Sequence, residues 1–168
     1  MIFVDNNTIR LIYNIFKNCK EYFLQMKDFD GYEVDFSLLL KKINSFKNKK
    51  QLLLQKAEVG TYKPKKMVEF VLEKVNSVSF LHLCLFAVIT NCTTKVIVLN
   101  DDYFATNELI RSLINKVCNY YGFEEFITLE KTEKTINAIC DENKILLVRA
   151  GKKSVRLKQE DFLEKDEN

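Results

Sequence analysis

Apolar positions recur along the first third of the chain at helical spacing. Ile9, Ile12, Phe16, Cys19 and Phe23 follow one another at steps of three and four residues. That spacing puts them on one stripe of a helix predicted over residues 8–26, with Asn6, Asn7 and Thr8 as cap candidates. The Asp28-Phe29-Asp30-Gly31 cluster breaks the pattern. A second helix is predicted from Phe36 to Phe46, with Leu39, Leu40, Ile43 and Phe46 inward. Residues 51–56 either continue it or begin a third. Gly60 to Lys66 holds the only proline and is the best boundary in the chain.

Beyond the boundary the period changes. Residues 67–73 have strand composition, and Asn76 or Ser77 then caps an apolar run to Ile89 that is too uniformly apolar for a surface helix and reads as a buried helix, with a strand as the alternative. Lys95 to Leu99 is a β-branched strand ended by Asn100-Asp101-Asp102. Thr106 is placed as the cap of a helix to Tyr121, with Leu109, Ile110, Leu113, Ile114, Val117 and Cys118 on its apolar face and Gly122 as its stop. Short elements complete the chain: a strand over 126–129, a helix over 132–140, a buried strand over 144–149 and an alternating edge strand over 154–158. Strands alternating with helices predict right-handed parallel crossovers. The expected fold class is α/β, a small three-layer βαβ-type unit over about residues 67–158. A helical segment over 1–59 precedes it, and an acidic, disordered tail over 159–168 follows it.

Composition narrows the class. Of 168 residues, 47% are hydrophobic and 29% charged, values at which a globular chain can bury a core. Cys19, Cys84, Cys92, Cys118 and Cys140 are odd in number and scattered, with no Cys-x-x-Cys pair and a single histidine, His82. This is neither a disulfide framework nor a zinc spacing, and it predicts reduced thiols in the core. Met1 to Val4 meets Asp5 with no basic region before it, unlike a secretion signal. The apolar run from Val78 to Ile89 falls short of the roughly 20 residues that cross a bilayer. The expectation is an intracellular protein, cytoplasmic or nuclear, without membrane association.

Charge is unevenly distributed. Residues 1–66 carry 13 Lys and Arg against 7 Asp and Glu, whereas residues 67–168 carry 13 against 16. Lys41, Lys42, Lys47, Lys49, Lys50, Lys63, Lys65 and Lys66 concentrate in one stretch, with Glu58 its only acid. Such a cluster can neutralise phosphates of RNA or DNA, or meet an acidic partner. Without arginine the contact would be independent of base sequence. The plainer reading is a solvated helix face.

Ligands of open α/β sheets sit at the carboxyl ends of the strands. The relevant turns are residues 73–76, 100–104, 130–132 and 149–153. None carries Gly-x-Gly-x-x-Gly or Gly-x-x-x-x-Gly-Lys-Ser/Thr, which argues against a conventional nucleotide-binding enzyme, and no cofactor is predicted. Asp101 and Asp102 could hold Mg²⁺ through oxygen ligands, or simply form a solvated turn. Lys-Val-Ile-Val-Leu-Asn-Asp-Asp from Lys95, followed by a helix, resembles the opening of a response-regulator receiver domain, and the likeness extends through residues 144–148. Arg149 stands where that family's phosphoacceptor Asp would end the strand. The same stretch is similar to part of an aldehyde-dehydrogenase cofactor domain. Two unrelated families fitting one pattern mark it as a generic βαβ signal.

The functional expectation is a non-catalytic interaction or adaptor protein docking into a larger assembly. Its contact face would be Ile9, Ile12, Phe16, Cys19 and Phe23, unless the α/β unit buries that stripe. The alternatives are a nucleic-acid-associated protein using the lysine segment, and a Mg²⁺-dependent enzyme or degenerate receiver centred on Asp101 and Asp102.

Overall fold

A computed structural model describes residues 6–25, 35–58, 62–73, 75–99, 103–122, 125–133, 147–149 and 162–165. The helical part comprises α1 (Asn6–Asn18), α2 (Lys20–Gln25) and α3 (Phe36–Glu58). The elements that follow are β1 (Tyr62–Pro64), β2 (Met67–Leu72), α4 (Ser77–Thr90), β3 (Thr93–Val98), α5 (Phe104–Tyr120), β4 (Ile127–Lys131), β5 (Leu147–Arg149) and β6 (Leu163–Lys165). The fold is α/β with a helical N-terminal part, as the alternation of strand and helix periods predicts.

β2, β3, β4 and β5 form a parallel sheet in the order β4-β3-β2-β5. Val68, Phe70 and Leu72 of β2 and Val96 and Val98 of β3 turn one face of the sheet into the main core, together with Ile127 and Leu129 of β4. Val71 and Ile97, one position out of phase, are buried on the other face. Parallel neighbours need a crossover, and the crossovers seen are α4 and α5.

α4 explains the rest of the arrangement. Eleven of its 14 residues are buried, from Ser77 and Phe80 through Thr90. A helix apolar all round must be covered all round. The sheet and α5 cover part of it, and α3 packs against another side. α1 in turn packs against both α3 and α5. The described elements therefore stack as sheet, then α4 with α5, then α1 with α3. Both ends of α4 are fixed by asparagine: Asn76 Oδ1 accepts from the Ser79 amide at 2.8 Å, and Asn91 closes the helix in the left-handed region at φ 52°.

One core runs through all three layers, from Ile9, Ile12 and Phe16 of α1 to Phe162 before β6. Phe23 stacks between Phe16 and Phe36 at ring-centroid distances of 5.2 and 5.6 Å. Ile9, Ile12, Phe16 and Phe23 are each at most 1% exposed, and Cys19 is half-buried. The condition for a protein-contact stripe is thus not met: these side chains are used inside this chain's own core.

Several boundaries differ from the sequence reading. The first helix breaks at Cys19, whose amide is shared between the Ile15 and Phe16 carbonyls at 3.0 and 3.1 Å. α3 runs unbroken through the lysine stretch, because lysine, asparagine and glutamine contain no helix breaker. α5 starts at Phe104, so Thr106 is a buried residue of its first turn and not its cap. The predicted helix over 132–140 and edge strand over 154–158 lie outside the described residues, apart from Thr132 and Glu133.

The acidic tail is the largest departure. β6 pairs antiparallel with β1, with Lys63 opposite Glu164, and Phe162 is fully buried between Phe70 and Phe86 at 5.6 and 5.5 Å. One aromatic ring in phase with a waiting apolar slot outweighs the charges around it. Phe162→Ala is therefore expected to lower stability in urea denaturation by about 3–5 kcal/mol, the usual cost of emptying a buried phenyl site. A disordered tail would make the substitution silent.

Candidate functional site

β2 and β3 run parallel, so α4 and α5 both open at the carboxyl-terminal edge of the sheet. The strand ends align there in one row across the register: Lys131 of β4, Val98 of β3, Leu72 of β2 and Arg149 of β5. From β2 the chain steps to β3 and β4 on one side, whereas β5 lies on the other side of β2. The order reverses between β2 and β5, and in open α/β sheets ligands gather at the carboxyl ends of the strands, here the edge on which α4 and α5 begin.

Two polar side chains at this edge are buried without full partners. Ser77, the first residue of α4, is 5% exposed, and its Oγ meets no hydrogen-bond partner among the described residues. Asn107, in the first turn of α5, is fully buried; its Nδ2 donates to the Val75 carbonyl at 2.8 Å while its Oδ1 has no partner among the described residues. A buried polar atom left unpaired costs about 1–3 kcal/mol. The α5 cap residue, Tyr103, supplies no side-chain cap to the first-turn amides. Two helix amino termini, with their partial positive charge, thus meet a hydroxyl and an amide oxygen at one edge.

Asn115, two turns further along α5, shows the contrast. Its Nδ2 donates to the Ile127 carbonyl at 2.7 Å, and its Oδ1 accepts from the Phe126 and Ile127 amides at 3.4 and 3.2 Å. That asparagine locks α5 to β4 and has both lone-pair positions of its Oδ1 taken. Asn107 has one acceptor in reserve. The sequence reading overlooked Ser77 as a ligand group and passed over both asparagines. The signal was available in Asn107, which falls in phase with the apolar stripe Ile110, Ile114 and Cys118.

The lysine segment does not stay together as one patch. Lys41 and Lys47 are exposed on α3, and Lys66 is exposed before β2. Lys42 and Lys65 are half-buried, and the Lys65 amide donates to the Phe162 carbonyl at 2.9 Å. Lys63 pairs with Glu164 at 3.7 Å. Lys50 belongs to α3, but its side chain lies outside the description.

Lys49 turns inward. Its Nζ lies 2.7 Å from His82 Nε2, 4.8 Å from the Phe46 ring centre and 5.4 Å from that of Phe86. Burial, with the charges of Lys49 and Lys42, pulls His82 down to about 4. The imidazole is therefore neutral near pH 7 and can accept from the Lys49 ammonium, which leaves its own proton on Nδ1. Burial and the Lys42 charge also lower Lys49. The contact satisfies a half-buried histidine against the aromatic core.

Asp101, Asp102 and Cys140 lie outside the described residues. Among those described, no three His, Cys, Asp or Glu side chains gather in a metal-binding group, and no helix is long and apolar enough to cross a membrane. Burial pushes the Cys92 and Cys118 thiols up to about 12, and Cys84 well above its ordinary value. No protein-family model and no curated protein matches the chain.

Two expectations follow from these environments. The folded His82 holds its proton only below about pH 4, against an ordinary value of 6.5. Between those limits the unfolded chain binds more protons, so stability falls as pH drops from 6.5 towards 4 and levels off below. His82→Leu should flatten that limb in pH-dependent urea denaturation. As the only histidine, His82 also gives a single imidazole NMR titration to read directly. Among the four described thiols, Cys19 should react with a disulfide reagent in the native state, and Cys84, Cys92 and Cys118 only on unfolding. Mass spectrometry of the labelled peptides checks this.

Proposed function

We propose that this chain is a binding domain whose ligand sits at the carboxyl-terminal edge of the sheet, against the amino termini of α4 and α5. The observation that carries the reading is the pair of unpartnered buried atoms, Ser77 Oγ and Asn107 Oδ1. Each costs stability in the free protein, and a ligand that meets them recovers it.

The donors and acceptors define the ligand class. The Ser77 hydroxyl and the helix amino termini favour an anionic group, a phosphate or carboxylate. Lys131, in the terminal row of the sheet, carries the matching charge. Asn107 Oδ1 accepts only, so the ligand also carries a hydroxyl or amino donor. Residues 73–76 contain no glycine, so the backbone cannot approach a pyrophosphate as it does in dinucleotide sites. A small phosphorylated or carboxylated molecule with a free donor fits these demands, as a sugar phosphate or mononucleotide does.

A non-catalytic role agrees with the state of the described reactive groups. His82 is neutral and engaged by Lys49, and three thiols are held protonated by burial. Docking through Ile9, Ile12, Phe16 and Phe23 is not part of the proposal, since those side chains fill the core.

Ser77→Ala separates ligand binding from folding. Removing an unpaired buried hydroxyl is expected to leave stability unchanged or raise it by up to about 1 kcal/mol. Calorimetric titration with ribose 5-phosphate, AMP and NAD⁺ should show binding of one of the first two, weakened roughly five- to tenfold by the substitution, the worth of one hydrogen bond. Failure of all three to bind, or equal affinity in the variant, would overturn the proposal.

A further inference from the structure

α3 and α4 pack against each other, and their contact brings an amine and an imidazole together at the rim of the core. Lys42, Phe46 and Lys49 follow at steps of four and three residues, which sets them on one stripe of α3. His82 and Phe86, four residues apart, share a stripe of α4. Phe46 and Phe86 are buried, and the His82 ring meets them at 5.0 and 5.1 Å between centres. The Lys49 amine completes the group, with Nζ 2.7 Å from His82 Nε2 and 4.8 and 5.4 Å from the Phe46 and Phe86 ring centres. Lys49 and His82 are both half-buried, so the pair keeps contact with solvent.

The partner of the amine decides its charge. Lys63 meets Glu164 and Lys95 meets Glu130, and such a carboxylate holds a lysine as the ammonium. Lys49 forms no ion pair among the described residues, and the imidazole it meets is neutral near pH 7. Burial and the Lys42 charge both favour the free amine and lower Lys49 from its ordinary value. A free amine is a nucleophile, and an ammonium is not. His82 Nε2, uncharged and at hydrogen-bond distance, can take a proton from that nitrogen and pass it on.

We infer that Lys49, held against His82 by the α3–α4 contact, is a modification site whose amine takes the acyl group of a small acyl phosphate. Nζ attacks the carbonyl carbon; the N–C bond forms and the bond from that carbon to the phosphate oxygen breaks. The products are an amide and inorganic phosphate, with no change of oxidation state. The amine loses one proton, which His82 Nε2 relays to the leaving phosphate. The Lys42 charge reaches both Lys49 and His82, and it attracts the phosphate end of the donor. Acylation removes the Lys49 charge and leaves one N–H to donate to His82. The change is stoichiometric, lies apart from the sheet edge and does not depend on the ligand proposed there.

The test is timed acetylation of the full folded chain by acetyl phosphate near neutral pH, with each lysine read by fragment mass spectrometry. Steric access alone would make Lys41 and Lys47, exposed on the same helix, react faster than half-buried Lys49. The expected order is the reverse, with Lys49 ahead by about fivefold, the worth of one hydrogen bond to the reacting nitrogen. His82→Phe removes the acceptor and keeps a ring beside Phe46 and Phe86. It should bring Lys49 down to the rate of Lys41 or below, with the helical circular dichroism unchanged. Lys42→Gln, at a half-buried position, should slow Lys49 about two- to fivefold, the range of one partly exposed charge. Acetylation of Lys49 no faster than of Lys41 and Lys47, or a rate that Lys42→Gln does not move, would overturn the inference. So would a folded His82→Phe chain that keeps the preference.

Discussion

The structure depends on the burial of α4. A helix with Phe80, Leu81, Leu83, Cys84, Leu85, Phe86, Val88 and Ile89 on every side has no face to give to water. Covering it on one side alone would leave a large apolar surface exposed. The parallel sheet and α5 meet part of the demand, and α1 with α3 complete the cover on the outside. The N-terminal helices are therefore structural partners of the α/β unit, and their apolar stripes are matched to it. The polar sides of the same helices are left to solvent, and their chemistry is free to serve something else.

Much of this was legible in the sequence, for identifiable reasons. Stripes at three- and four-residue steps located α1, α3 and α5, and β-branched runs located β2 and β3, because each period reports one face against the core. The uniform apolar run identified α4 as interior. Local chemistry marked its start at Asn76, whereas the left-handed close at Asn91 is seen only in the structure. What failed were features decided by tertiary partners. Nothing local to Phe162 announces that Phe70 and Phe86 wait for it, so the acid-rich segment around it reads as solvated. Whether the Ile9–Phe23 stripe is covered depends on α3, α4 and α5 together, which periodicity in one helix cannot reveal.

The candidate site was less legible than the fold. The strand ends that lead into the sheet-edge turns were legible, since β-branched runs report where each strand stops. The groups that matter within them were not, because an incomplete hydrogen-bond set is a property of three dimensions. Asn107 and Asn115 are the same residue on the same helix face, and only their neighbours distinguish a lock from an acceptor with capacity to spare. The lysine segment shows the opposite error. Nine lysines within 26 residues suggested one patch. The fold turns Lys49 onto His82 and pairs Lys63 with Glu164, which divides the segment.

The ring of Phe162 also bears on how the chain reaches its native state. It closes against Phe70 across about ninety residues of intervening sequence, a loop whose entropy is spent before any contact is gained. The parallel pairings of β2 with β3 and β5 are likewise non-local, and such topologies fold slowly. Until Phe162 docks, an intermediate with α4 already packed would present Phe70 and Phe86 to solvent beside an open strand edge. That surface favours association between partly folded chains. The short strap from Phe162 to Lys165 thus closes, late in sequence, an apolar surface that its own distant partners leave open.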